Sequence, residues 1–421
     1  MKKNKTIKKA ALKVPVLKNL ILEKQELYKT TTRQAYEIKR LNKKVEELKR
    51  QLGDKPLTKK YAIWPLLENE VLKAEKKKDN SERPTGNHKP PFTMNWVIPA
   101  VVPSSGGQSD IFRTINYLIG KGHDCRIYIF DPPQQSNLEE QKKLIYANFE
   151  GIDSPIFYNS NKISDCDILF ATHWLTAYPV YNFTGKGRKY YYVQGYEPHT
   201  QPAGYLGHLA EQTYTFGFRG LTLGQWLSEK LSEEYGMRCD YFDYGYDPKE
   251  YFNNSDKPRK DILYYAQPQK AHRGFELGIM ALEIFHRQNP QSKIHLFGAD
   301  LSRYKIPFPH EAMNILTVPQ LNELYNNCAT GLAISFTNIS LIPLEMIAAG
   351  CQPVINDSYH TRKIKYSDRV LYANPTPSAI AATLSKAVKD NSNGLKAKLP
   401  EDYTWDHSNR QIEQILASDM S

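Results

Sequence analysis

The sequence predicts an α/β protein made of two doubly wound domains that face each other across a cleft. Short apolar runs alternate with amphipathic stretches along most of the chain, the pattern of strand–helix–strand units on an open parallel sheet. The alternation falls into two successive series, one opening near Asn95 and the other at Asp261. The chain has 421 residues, more than one ordinary core supports, so each series is expected to be a domain of its own.

The first series reads as a strand at Asn95–Ile98, a glycine-containing loop at Pro103–Ser109, a helix at Asp110–Leu118, a turn at Gly120–Gly122 and a strand at Cys125–Phe130. DILFAT (Asp167–Thr172) and KYYYVQ (Lys189–Gln194) supply further strands. TYTFGFRGLTLGQWLSEKLSEEYG reads as a strand and then a helix with a Ser/Thr-type start, and Cys239–Tyr244 closes the domain. In the second series DILYYAQ is a strand, GFELGIMALEIFHRQNP a helix, SKIHLFG a strand, MNILTV a short strand, PQLNELYNNC a helix and TGLAISF a strand. IPLEMIAAG then reads as a helix, QPVIN as a strand and Pro377–Lys389 as a helix. The tail YTWDHSNRQIEQILA is amphipathic and long enough to pack back across the domain junction. The expected boundaries are 1–90 for a basic helical extension and linker, 91–250 and 251–400 for the two domains, and 401–421 for the crossing helix.

Apolar residues make up 40% of the chain and charged residues 24%, a globular balance. The five cysteines show no metal-like spacing, so reduced thiols in a cytosolic setting are expected. No stretch approaches the length of a membrane span. The basic start lacks the apolar core and small-residue cleavage site of a secretion signal. Charge is unevenly placed: residues 1–60 hold 19 Lys+Arg and 6 Asp+Glu, against a net of +11 for the whole chain. The body is therefore nearly neutral, which argues against nucleic acid as its partner. Within the extension, Leu20, Leu27, Ile38, Leu41, Val45, Leu48 and Leu52 follow helical spacing. Two uses are open. The helix packs on its own body or on a second copy, giving a homodimer, or it lies on an anionic membrane surface.

Candidate chemistry lies where strand-end loops meet the cleft, the place ligands take in open α/β sheets. Gly106 and Gly107 stand between a strand and a helix, where backbone N–H groups can reach an anion. Lys270 and Arg273, with His272 between them, follow the first strand of the second series and could hold a diphosphate. Glu345 is an acid in an apolar helix after a strand-end loop, where it could accept two sugar hydroxyls. His173 and Trp174 follow one first-domain strand; Gln194, Tyr196 and Glu197 follow another. Trp174 and Tyr196 could stack on a sugar, and Glu197 or His173 could orient a hydroxyl or act as a base. Each has a plainer alternative: a ligand-free turn, solvated surface cations, a helix-capping acid or a buried side chain. No histidine–acid set has metal-site spacing, and Asp165 and Asp167 precede a strand rather than follow one.

Taken together, these residues resemble the retaining nucleotide-sugar glycosyltransferases of the two-Rossmann-domain type (GT-B, family 4-like). SFTNISLIPLEMIAAGCQPVI resembles that group's donor signature, which has two glutamates eight positions apart. Glu345 matches the second, implied to bind the nucleotide ribose, and Thr337 stands where the first would be. Lys270 and Arg273 resemble the basic pair around the diphosphate, with Gln267 near the place of a frequent arginine. SSGG (Ser104–Gly107) resembles the glycine loop facing the donor phosphates, and YTWDHSNRQ (Tyr403–Gln411) the crossover helix. The resemblance covers roughly 95–416. At closer range the chain, and MNWVIPAVVPSSGGQSDIFRTINYL above all, resembles bacterial rhamnosyltransferases that build surface-layer glycans.

That resemblance implies transfer of L-rhamnose from dTDP-β-L-rhamnose to a rhamnose hydroxyl of a growing lipid-linked glycan, in β-1,2 linkage and with retention of configuration. It implies donor contacts from Gly106, Gly107, Lys270, Arg273, Thr337 and Glu345, and acceptor contacts from Trp174, Gln194, Tyr196 and Glu197. Lys270 and Arg273 are expected to stabilise the leaving diphosphate, with Glu197 and His173 positioning the acceptor. No cofactor and no essential metal are expected. The implied location is cytoplasmic, peripheral at the inner membrane face. The rival readings are a nucleotide-sugar epimerase on the same fold and a non-catalytic carbohydrate-binding scaffold.

Overall fold

The structure is a computed structural model that describes Asn19 and residues 64–77, 89–102, 105–149, 151–159, 162–395 and 399–421. The expectations for residues 1–60 lie outside the described residues, as does the linker at 78–88. Residues 65–421 form one compact unit, distinct from residues 1–64.

Two parallel sheets organise that unit. The first has β1 (Thr93–Pro99), β2 (Asp124–Phe130), β3 (Ile156–Tyr158), β4 (Ile168–Ala171), β5 (Arg188–Val193), β6 (Arg219–Leu223) and β7 (Cys239–Phe242), in the order β3-β2-β1-β4-β5-β6-β7. The second has β8 (Asp261–Tyr265), β9 (Ile294–Phe297), β10 (Glu311–Asn314), β11 (Cys328–Ala333), β12 (Gln352–Asn356) and β13 (Leu371–Ala373), in the order β10-β9-β8-β11-β12-β13. Both orders reverse direction beside their first strand, between β1 and β4 and between β8 and β11. Such switch points open a crevice at the carboxyl ends of the strands. The helices are α1 (Pro65–Lys76), α2 (Gly106–Gly120), α3 (Leu138–Asn148), α4 (Trp174–Asn182), α5 (Tyr205–Gln212), α6 (Gln225–Tyr235), α7 (Phe275–Gln288), α8 (Val318–Asn327), α9 (Ile342–Ala348), α10 (Tyr359–Arg362), α11 (Pro377–Asp390) and α12 (Trp405–Met420).

The central strands are covered on both faces, which is why they read as continuous apolar runs. Every residue of β4, β9 and β11 is buried. Trp96 of β1 stacks on Phe170 of β4 with ring centroids 3.9 Å apart, and Tyr190, Tyr191 and Tyr192 of β5 are fully buried.

Three elements depart from the sequence expectation for local reasons. Helix α2 begins at Gly106 rather than Asp110, because Ser105 caps it by accepting from the Gln108 N–H. The two glycines therefore form the first helical turn. The short strand expected at MNILTV shifts to Glu311–Asn314, because Thr317 and Gln320 form a capping box that starts α8 at Val318. Helix α6 starts after Gly224 with no side-chain cap, in place of the expected Ser/Thr start.

Helix α1 packs on α4, where Asn182 Nδ2 donates to the Glu70 backbone oxygen and to its carboxylate, each at 2.8 Å. Helix α12 leaves the second domain and lies along the first. Thr114 Oγ1 donates to Asn409 at 3.1 Å, Tyr117 donates to Glu413 at 3.0 Å, and Asp419 pairs with Arg188 at 3.0 Å and Arg219 at 2.5 Å. These contacts fix the two domains against each other.

Candidate functional site

The loop after β8 carries the cations. A short 3-10 turn, Ala271–Arg273, ends at Gly274 with φ 58°. Lys270 is exposed, and burial of its surroundings together with Arg273 lowers its pKa. Arg273 donates from one terminal nitrogen to the Asn338 backbone oxygen at 3.2 Å, and its Nε has no partner. Among the described residues no carboxylate pairs with it; the neutral Tyr265 and Tyr244 phenols and the Lys270 cation lie near it, and burial lowers its pKa. Partial desolvation of a guanidinium without an acid carries a cost, and an anion delivered by a ligand offsets it. Burial and the two cations push His272 down to about 4, so its imidazole is neutral at physiological pH.

Glu345 lies in α9, after the β11 loop, and is 9% exposed. Its Oε2 accepts from Tyr325 at 3.2 Å. Burial pushes its pKa up to about 7, opposed by the Tyr325 hydrogen bond and by Arg113, with Glu250 adding to the rise. Asp110 of α2, in the first domain, is within electrostatic reach of Glu345. Burial pushes Asp110 up to about 8, Arg113 opposes and Glu345 adds. The junction thus holds carboxyls from both domains around Arg113. Sequence reasoning missed Asp110, which reads as an ordinary acid near a helix start. The available signal was its place one turn after the glycine pair, on the same helix face as Arg113 and Thr114.

Thr337 departs from its expected role. It is 3% exposed, and its hydroxyl accepts from the Tyr196 N–H at 3.1 Å and donates to the Tyr196 oxygen at 3.4 Å. Asn338 beside it donates to the Leu223 oxygen at 2.9 Å and to the Tyr244 hydroxyl at 3.0 Å. The loop at Ser335–Asn338 therefore docks onto the ends of β5 and β6. The Thr337 hydroxyl is spent on the domain joint. Asn338 was not singled out from sequence.

On the first-domain side, a Cβ at Gly106 would meet nothing within 4 Å, whereas one at Gly107 would lie 2.9 Å from Gln194 Oε1. Gln194 Nε2 donates to the Gly107 oxygen at 2.8 Å, so this side chain holds the glycine turn. Trp174, Tyr196 and Glu197 were expected at the acceptor and instead serve the interior. Trp174 is 2% exposed, too enclosed to offer a face to a sugar. Glu197 accepts from the Trp174 N–H and from the Tyr191 hydroxyl, each at 2.6 Å, and burial pushes its pKa up to about 8. Tyr196 is 5% exposed, its hydroxyl 2.5 Å from that of Tyr235 and 3.3 Å from Glu211. The physical reason is an aromatic cluster of Tyr191, Tyr196, Tyr214 and Tyr235, into which this strand-end loop turns. His173 caps α4, accepting from the Leu175 N–H at 3.3 Å, and burial pushes it down to about 4. Among the described residues no group of three or more His, Cys, Asp or Glu side chains is placed to hold a metal ion. No helix of the described residues is long and apolar enough to cross a membrane.

Two Rossmann-like domains, joined by a crossing helix and with their switch points meeting at this junction, define the GT-B fold. Residues 260–385, most of the second domain, match the family model described as WsaF, C-terminal domain. The O-antigen biosynthesis protein RfbC of Myxococcus xanthus is 32% identical over 321 residues, which is 73% of this chain and 25% of that protein. The chain thus spans about a quarter of the length of this relative. Among solved structures, HepE of Anabaena in complex with UDP and glucose matches with a TM-score of 0.59 at 11% identity, over 78% of this chain and 100% of that one. TarM of S. aureus, in a complex containing UDP, matches with a TM-score of 0.56 at 8% identity, over 78% and 98%. A candidate UDP-N-acetylglucosamine 2-epimerase of Listeria monocytogenes matches at 0.50 with 9% identity, over 78% and 96%. At such identities the likeness is one of fold, and the fold serves more than one chemistry.

Proposed function

We propose that this chain is a glycosyltransferase of bacterial surface-glycan assembly that takes its sugar from a nucleoside diphosphate. Arg273 is the observation that carries the reading: a half-buried cation with an enclosed, unpaired Nε and no acid partner among the described residues, at a switch point of the second sheet. The name of the Myxococcus relative and the nucleotide in the HepE and TarM structures support the same class. The donor we propose is dTDP-β-L-rhamnose, following the resemblance to surface-layer rhamnosyltransferases. The acceptor is a rhamnose hydroxyl of a lipid-linked glycan, joined in β-1,2 linkage with retention. Residues 1–60 would hold the enzyme to the anionic inner face of the cytoplasmic membrane.

In this mechanism Arg273 and Lys270 stabilise the charge that develops on the leaving diphosphate, which lowers the barrier most where water is excluded. The N–H groups of Gly106 and Gly107 add donors from the first domain. Glu345 accepts the ribose hydroxyls. The acceptor hydroxyl attacks on the leaving-group face, and a phosphate oxygen takes its proton, so no protein nucleophile is required. Glu197 has no part in it, because both of its contacts are internal. The clasp made by Thr337 and Asn338 ties the loop beside Arg273 to the first domain. Incubating the protein with dTDP-L-rhamnose and a rhamnose-terminated oligosaccharide should lengthen the oligosaccharide by one residue and release dTDP. A changed sugar on the nucleotide with no acceptor requirement would instead favour the epimerase. No product from any dTDP, UDP or GDP sugar would favour the scaffold.

A further inference from the structure

Thr337 spends its hydroxyl on the domain joint, so another residue of the same loop must meet whatever lies beside Arg273. We infer that Phe336 is the platform for the transferred sugar, and that the site takes a pyranose with an extended C–H face, as a deoxyhexose offers. The inference rests on the nucleotide-sugar reading above.

Phe336 is 41% exposed, and its two immediate neighbours, Ser335 and Thr337, are buried. Its backbone is held from both domains. The N–H donates to the His272 oxygen at 2.8 Å, and the oxygen lies 3.4 Å from Nδ1 of His199 in the first domain. Its position is therefore set, and its exposure is not that of a free loop tip. The ring packs over Gly274, the residue after Arg273. A Cβ there would meet Phe336 Cε2 at 3.2 Å and Ile334 Cγ2 at 2.8 Å. Gly274 thus serves twice: it takes the left-handed φ of 58° that ends the cation turn, and it lets the aromatic ring reach that turn. The result is an apolar face directly beside the proposed diphosphate site.

An aromatic face binds the C–H side of a pyranose and offers no acceptor for hydroxyls. A carboxylate in this loop would do the reverse. With Thr337 turned into the joint and Phe336 turned outward, the loop favours a sugar poor in hydroxyls on the face it presents. The ring should thus set which sugar is accepted while leaving the nucleotide's own grip to Arg273, Lys270 and Glu345.

The test is calorimetric titration of the wild-type chain, Phe336→Leu and Phe336→Tyr with matched pairs: dTDP and dTDP-L-rhamnose, UDP and UDP-glucose. Leucine keeps bulk but removes the ring; tyrosine keeps the ring. Phe336→Leu should lose about fivefold to tenfold in affinity for dTDP-L-rhamnose with dTDP unchanged, and Phe336→Tyr should match the wild type. Equal affinity of Phe336→Leu and wild type for the nucleotide sugar would overturn the inference. So would an equal loss on bare dTDP, which would place the ring on the nucleotide. A wild-type chain that binds none of the four probes would overturn the donor reading itself, an outcome distinct from any difference between variants.

Discussion

The two sides of the domain junction handle buried charge in opposite ways. In the first domain, Glu197 is enclosed and answered: two donors at 2.6 Å meet one carboxylate oxygen, and burial favours its neutral form. In the second domain, Arg273 is half-buried and unanswered: one hydrogen bond to a backbone oxygen, an enclosed and unpaired Nε, and no carboxylate partner among the described residues. Both residues follow a strand and both are charged types, so sequence alone ranks them alike. The difference teaches that completeness of partnering, rather than position after a strand, separates a structural ionisable group from one awaiting a ligand.

Substitutions can break or sharpen that contrast. Arg273→Ala should cut turnover by about 10²–10³-fold, the usual cost of losing one donor to a developing negative charge. Arg273→Lys should recover part of it, since the charge returns without the planar fork. Turnover within twofold of the wild type in Arg273→Ala would move the anion elsewhere. Thr337→Glu should destabilise the folded protein by about 2–4 kcal/mol, read from denaturant midpoints, because it buries a carboxylate where a hydroxyl now bridges the domains. An unchanged midpoint would show that the joint opens readily. Glu345→Ala should weaken nucleotide binding by about tenfold with smaller effects on stability, the cost of losing hydrogen bonds to a charged acceptor. Glu197→Gln should leave turnover unchanged and alter only the pH dependence of stability. The folded pKa of Glu197 stands near 8 against an ordinary 4.5, so its stabilising neutral form is lost as pH rises across that window. Glutamine cannot ionise, so the fall in stability between about pH 5 and 8 should be shallower in the variant. Glu345 and Asp110 titrate with the same sign, so part of the slope will remain.

Much of the fold was legible because parallel strands covered on both faces appear as apolar runs, and β1, β5, β8 and β12 were placed within two residues at either end. Helix α4 was not legible. It is buried nearly all round and contains Pro179, so it shows neither an amphipathic stripe nor a clean helical composition. Lys270 and Arg273 were legible as a cation pair between a strand and a helix. The burial of Tyr196 and Glu197 was not, because the rings around them, Tyr191, Tyr214 and Tyr235, arrive from three separate elements. The joint role of Thr337 was equally hidden, since its partner Tyr196 lies 141 residues away in the chain.

The central claim is that Arg273 waits for the diphosphate of a sugar nucleotide. The most direct test is to titrate the wild-type chain and Arg273→Ala with dTDP, UDP and GDP in a calorimeter. The account predicts that the wild type binds at least one of them and that Arg273→Ala loses most of that affinity with its fold intact by circular dichroism. Binding of none by the wild type, or equal binding by the variant, would contradict it.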